Sequence, residues 1–237
     1  NILNKYFGKT MNYYGKITKK IEYNTKEYKN YYKEQSGLRY FHKKELLSQA
    51  FINIAFPCYD GKSPNIYGLD IIANILGGNM SSRLFIKLRE RRGLIYNISA
   101  YYNQYSDIGS FEISCSTYGD EKTILRCITL IMSELQDMKK NIVKKNELEH
   151  SKNFINGDML LYTDNSHNLA DLYLEDLLLY NKIITYKNYK DNISKQTGES
   201  LKKISNDIFK IDKCNIGLLS KQNISKKKIY DLISKYI

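Results

Sequence analysis

Tryptophan is missing from this chain, and histidine occurs only three times, at His42, His150 and His167. Histidine poverty limits metal and acid–base chemistry. The inverted zinc motif H-x-x-E-H needs two histidines four apart on one helical face, with a glutamate as general base. His42-Lys43-Lys44-Glu45 supplies the first part, but Leu46 stands where the second histidine must be. His150 lies on a charged helical stretch and His167 opens another, neither beside a ligand pair. The residues therefore contain no metal site. Cysteine is also scarce. Cys58, Cys115, Cys127 and Cys214 form no C-x-x-C pair, which argues against a zinc ribbon or a disulfide framework. Three of the four fall on apolar stretches, as reduced buried thiols do, and this favours a reducing, cytoplasmic compartment. No run approaches the roughly 18 to 20 apolar residues that a membrane-spanning helix needs. No basic-then-apolar secretory signal opens the chain; it starts at Asn1 rather than Met, so organellar targeting is not assessable. There is no Gly-x-Ser-x-Gly elbow and no phosphate-binding loop.

Lysine, isoleucine, asparagine and 22 tyrosines are plentiful, and formal net charge is +12. Such charge suits a nucleic-acid partner. The lysines are scattered, however, and accompany no nucleic-acid motif, so a nucleic-acid module is the least favoured reading. Apolar residues make up 42% of a chain long enough to bury a core without staples.

Periodicity organises most of the sequence. Ala50, Ile52, Ile54 and Phe56 alternate as in a strand. Residues 65 to 76 have helical spacing, and Gly77-Gly78 ends that helix by taking the left-handed position. Asn79 or Ser81 caps a short basic helix that runs to about Arg92 and stops at Gly93. Two strands follow. Tyr96, Ile98, Ala100 and Tyr102 face one way in the first. In the second, Phe111, Ile113 and Cys115 oppose Ser110, Glu112 and Ser114, which implies a sheet covered on one face only. A helix of about 19 residues starts near Asp120, with Ile124, Ile128, Ile131, Leu135 and Met138 as its apolar stripe. Further helices are expected at about 144–162, 166–181, 186–196 and 199–209, then a strand from Cys214 to Ser220 and a last helix capped by Ser225. This order predicts an α+β fold, a mostly antiparallel sheet with helices packed on one face.

The two ends resemble each other. Asn1-Ile-Leu-Asn-Lys-Tyr-Phe7 aligns without a gap with Asp231-Leu-Ile-Ser-Lys-Tyr-Ile237. An internal duplication would explain this. Residues 1–10 are then the closing helix of a preceding homologous half, 11–45 a linker with some local extended structure, and 46–237 the main domain.

Arg89 ends the basic helix and Tyr96 opens the next strand, with Gly93 reversing the chain between them. An arginine fork and a phenol can both donate to a peptide carbonyl, and donors aimed at an oxygen gaining negative charge lower an acyl-transfer barrier. On the residues alone, a helix dipole and strand packing are the stronger account of the same two side chains.

The ordered series Leu76-Gly-Gly-Asn-Met-Ser-Ser-Arg-Leu-Phe85, Gly93-Leu-Ile-Tyr96 and Asp107-Ile-Gly109 resembles the non-catalytic C-terminal half of two-halved zinc peptidases. These are the pitrilysin, insulin-degrading-enzyme and mitochondrial-processing-peptidase family. The resemblance runs from about Leu47 to Ile237. It implies that Arg89 and Tyr96 bind the substrate backbone near the scissile bond. It sets Gly77 and Gly78 where the processing peptidase has a longer glycine-rich loop that handles substrate, while Ser81, Ser82 and Arg83 look structural. It implies zinc in the other half of the full-length protein, and, as partners, that zinc-binding half or a homologous subunit together with a peptide or protein substrate. The leading expectation is the substrate-binding half of a zinc metalloendopeptidase, inactive by itself; the alternative is a non-catalytic scaffold or docking member of the same family.

Overall fold

The computed structural model describes residues 35–236. Five strands form one sheet: β1 (Arg39–Lys44), β2 (Gln49–Cys58), β3 (Ile95–Gln104), β4 (Gly109–Tyr118) and β5 (Asn215–Ser220). Their spatial order is β1-β5-β2-β4-β3. Only β1 and β5 run parallel; the other pairs are antiparallel. Among the described residues seven α-helices accompany them: α1 (Ile66–Ala73), α2 (Glu121–Lys140), α3 (Lys145–Asp164), α4 (Ser166–Tyr180), α5 (Tyr186–Ser194), α6 (Gly198–Ile208) and α7 (Lys226–Ile233). The fold is the α+β arrangement that the alternation implies.

The core lies between one face of the sheet and the helices. Ile52, Ile54 and Phe56 of β2 meet Phe111 and Ile113 of β4 and the α2 stripe Ile124, Ile128, Ile131 and Leu135, all essentially without solvent contact. Phe209, after α6, packs edge-on against both Phe56 and Phe111, ring centres 5.3 Å away in each case. No described helix covers the opposite face, from which Phe41 and Phe51 protrude. At α2 and α7 the caps sit where the sequence puts them. Asp120 accepts from Thr123 N at the start of α2 and Ser225 accepts from Lys228 N at the start of α7.

Three local features depart from the sequence reading. The first is β1, which falls inside the stretch read as a linker; its six residues pair rung for rung with β5. The closing helix assigned to residues 1–10, and the linker residues 11–34, lie outside the described residues. The second is Gly77-Gly78. Neither glycine has positive φ. They belong instead to a π-helical turn, Asn74–Gly78, that continues α1. A Cβ on Gly77 would stand 2.7 Å from the backbone nitrogen of Ala100 in β3. The glycine is there because helix and strand backbones touch. Gly77→Ala is accordingly expected to lower stability by about 2 kcal/mol, the scale of overpacking a tight contact. Gly78→Ala should do much less, since the nearest atom to its Cβ, the Asn74 amide nitrogen, is 3.3 Å away rather than 2.7 Å and belongs to a side chain rather than to the backbone of a strand. Urea melts of the two variants make the comparison; equal midpoints would refute it.

The third departure is the basic helix. Neither Asn79 nor Ser81 caps its helical body; the Asn79 side chain accepts from Ser81 N at 2.8 Å in a turn that precedes it. Its body, Phe85–Glu90, is π-helical. Gly93 has φ +57°, and its N–H and that of Leu94 close onto the carbonyls of Arg89 and Leu88.

Candidate functional site

The basic segment is clamped to the helical layer through Arg83. Its Nε and Nη2 donate to the two Glu147 carboxylate oxygens at 2.6 and 2.7 Å, and its Nη1 donates to Asp137 Oδ2 at 2.6 Å. Glu134 lies 3.7 Å from the same guanidinium and also pairs with Lys87. Hydrogen bonding to Glu147 is the main reason the Arg83 pKa rises further above its ordinary value. One planar fork thus ties the segment to α2 and α3 together.

Arg89 projects from the end of this anchored segment. It is exposed. Its guanidinium lies 5.0 Å from the centre of the Phe85 ring one turn back, which orients it without neutralising it. No carboxylate engages it among the described residues.

Tyr96 owes its direction to a β-bulge. Ile95 pairs with Thr117 and Asn97 with Ser116, leaving Tyr96 as the extra residue on β3. The expected alternation through Tyr96, Ile98, Ala100 and Tyr102 therefore fails at its first member. Ile95 and Ile98 both enter the core, and Tyr96 remains 47% exposed. Asn97 repairs the broken rung, its Oδ1 accepting from the backbone N–H of Ser116 at 3.2 Å and from the Ser116 hydroxyl. The Tyr96 ring sits 5.4 Å from that of Tyr118. The neighbouring phenol pushes the Tyr96 pKa upward, so Tyr96 keeps its proton and can donate at neutral pH. Nothing in the local alternation signals the bulge.

Gly77 and Gly78 differ in setting. Gly77 is buried under β3, whereas Gly78 is exposed. The three histidines lie on separate elements: His42 contacts Ser220 from β1, His150 lies on α3, and His167 pairs with Asp171 on α4. Among the described residues no group of three or more histidine, cysteine, aspartate or glutamate side chains could hold a metal. A zinc ion does not fit this donor set. All four cysteines are free thiols, and among the described residues no helix is long and apolar enough to cross a membrane.

Residues 1–155 match the family model described as the peptidase M16 inactive domain. The chain is 26% identical over 170 residues to the uncharacterized zinc protease YmxG of Bacillus subtilis, an alignment spanning 72% of this chain and 41% of that protein. It is 35% identical over 97 residues to an uncharacterized zinc protease of Rickettsia bellii, covering 40% of this chain and 22% of the relative. In fold it is similar to the crystal structure of a peptidase M16 inactive domain from Pseudomonas fluorescens, with TM-score 0.65, 22% identity, and coverage of 80% of this chain and 44% of that one. A chain of Complex III2 from Candida albicans superposes with TM-score 0.72 at 15% identity, covering 84% and 49%. The chain spans less than half the length of these relatives. The chain belongs to the M16 zinc peptidase family, as its inactive C-terminal domain.

Proposed function

We propose that this chain is the substrate-binding half of a zinc metalloendopeptidase, with Arg89 and Tyr96 gripping the backbone of a peptide that a companion half cleaves. The observation that carries the proposal is the bulge at Tyr96. It turns outward a phenol that regular pleating would send into the core, close in sequence to an uncompensated arginine on an anchored segment. Bulges are enriched where a strand must re-aim a side chain beside a site.

β3 is an edge strand among the described residues, and Tyr96 lies at its start. An extended peptide can add to such an edge through its main chain, which gives binding without reading sequence. Arg89 and Tyr96 then donate to carbonyl oxygens of the added strand. The zinc ion, and with it the bond-breaking step, belongs to a homologous half or subunit bearing H-x-x-E-H. Gly78, exposed at the end of the α1 extension, is the part of the glycine pair left free to contact substrate.

Mixing this chain with a companion half that carries H-x-x-E-H should produce chelator-sensitive hydrolysis of a quenched fluorogenic peptide, with neither piece active alone. The second reading, a docking member of the family, is favoured by the fold shared with the Complex III2 chain. It requires that neither the parent gene nor any subunit that copurifies with its product carry H-x-x-E-H, and finding none in either place would overturn the catalytic proposal.

A further inference from the structure

Two clefts of about 290 and 200 Å³, lined by neither Arg89 nor Tyr96, meet at Asp70. Both are lined by Asp70 of α1, Tyr102 of β3, Met159 of α3 and Tyr189 of α5. Asp158 adds a second carboxylate to the larger lobe and Asp176 a third to the smaller. No lysine, arginine or histidine lines either lobe. In a chain with 37 lysines and arginines and a net charge of +12, a concave site with three carboxylates and no cation is unusual.

The carboxylates are only partly satisfied. Asp70 accepts a hydrogen bond from the Tyr189 phenol. Burial is the main influence on Asp70 and pushes its carboxyl up to about 6, Tyr189 pulling the other way. Asp176 accepts from Ile184 N through one oxygen, at 2.7 Å. Two further polar atoms on the smaller lobe, Gln104 Oε1 and the Tyr180 hydroxyl, are buried with no partner among the described residues. Orphaned buried acceptors are rare in native structures and call for a ligand or ordered water. The walls are aromatic. Tyr67 and Tyr189 meet edge to face with ring centres 5.8 Å apart, and Tyr102 closes the floor.

Carboxylates set among aromatic faces recognise ammonium groups, by charge-assisted hydrogen bonds and by attraction to the ring quadrupole. A bare metal ion needs a cluster of hard donors, and the described residues hold no such cluster. We propose that this bipartite cleft binds an alkylammonium ligand, with one ammonium at Asp70 and the alkyl chain along Tyr102 and Tyr189. The paired lobes, each ending in its own second carboxylate, suit a linear di- or polyamine. A lysine side chain presents the same chemistry from a peptide. Gly78 borders the larger lobe, but the ammonium site uses neither Arg89 nor Tyr96 and is tested by binding rather than by cleavage.

Calorimetric titration with spermidine tests it. Saturable one-to-one binding is expected, although the +12 chain repels polycations elsewhere. Asp70→Asn should weaken binding by about tenfold or more, the scale of a lost charge-assisted hydrogen bond. That variant should still fold, because the substitution removes a carboxylate that burial disfavours; a melting temperature at pH 7.5 no lower than wild type verifies this. Asp158→Asn, at an exposed position, offers a second variant with no folding risk and should weaken binding several-fold. The uncharged hexane-1,6-diol should not bind. Acetyl-Gly-Lys-Gly-amide distinguishes the sources: binding of spermidine alone identifies a free amine, and tighter binding of the peptide identifies a side chain. Absence of saturable binding by either probe, equal affinity in folded Asp70→Asn, or equal affinity for the diol would overturn the proposal.

Discussion

Arg89→Ala is expected to lower kcat/KM about 100-fold when the chain is assayed with its zinc-bearing companion, the scale seen when one donor to a developing oxyanion is removed. The loss should fall mainly on kcat. A group that strengthens its grip only as the carbonyl oxygen gains charge leaves ground-state binding, and so KM, nearly untouched. Arg89→Lys should recover little, because an ammonium lacks the planar fork and stacks poorly on the Phe85 ring. Tyr96→Phe should lose about tenfold, as one neutral hydrogen bond is worth less than one from a guanidinium. Both residues are exposed, so melting temperatures should match wild type and the kinetic loss cannot be blamed on unfolding. Wild-type turnover in Arg89→Ala would remove the arginine from the site.

Arg83→Ala is expected to destabilise the domain by about 3 kcal/mol, near the range for breaking a partly buried ion pair from one side. The loss is larger than for a surface pair because three carboxylates share this guanidinium. With it gone, Glu147 loses a bidentate partner and the nearly buried Glu134 keeps only Lys87. Arg83→Lys should restore less than half of the loss, since an ammonium cannot serve both oxygens of Glu147 and reach Asp137 as well. Guanidinium chloride unfolding at fixed pH gives the number, with an unchanged m-value showing that the same transition is measured. Faster amide exchange confined to residues 83–92 would show that the clasp holds the segment bearing Arg89. A change below about 0.5 kcal/mol would class the network with ordinary exposed ion pairs.

The sequence declared those parts of the fold whose own residues face both core and solvent in a regular rhythm. β2, β4 and α2 are each amphipathic along their length, and their boundaries in the structure lie within a residue or two of those read from periodicity. β1 hides for the opposite reason. Its Arg39-Tyr-Phe-His-Lys-Lys44 stretch is an edge strand with exposed residues on both faces, so no apolar rhythm marks it. The bulge hides because Tyr96 fits the alternation that it interrupts; only the partner strand reveals the extra residue. Gly77 looks like a helix terminator in one dimension, and its contact with Ala100 exists only in three. The Asp70 cleft draws on β3 and on α1, α3, α4 and α5, a set that no local pattern joins. Arg89 and Tyr96 are singled out by a short ordered motif whose family resemblance suggests their role, while their exposure and the direction of the phenol come only from the structure.

The parallel pairing of β1 with β5 has a consequence for the order of assembly. β5 follows β1 and β2 only after two strands and six helices, yet it fits between them in the sheet. During synthesis the ribosome must therefore release the residues through Ser220 before the gap in the sheet can close. Contacts of such long sequence separation form late. Until then β2 offers a naked border to any passing strand, the circumstance in which nascent chains depend most on chaperones.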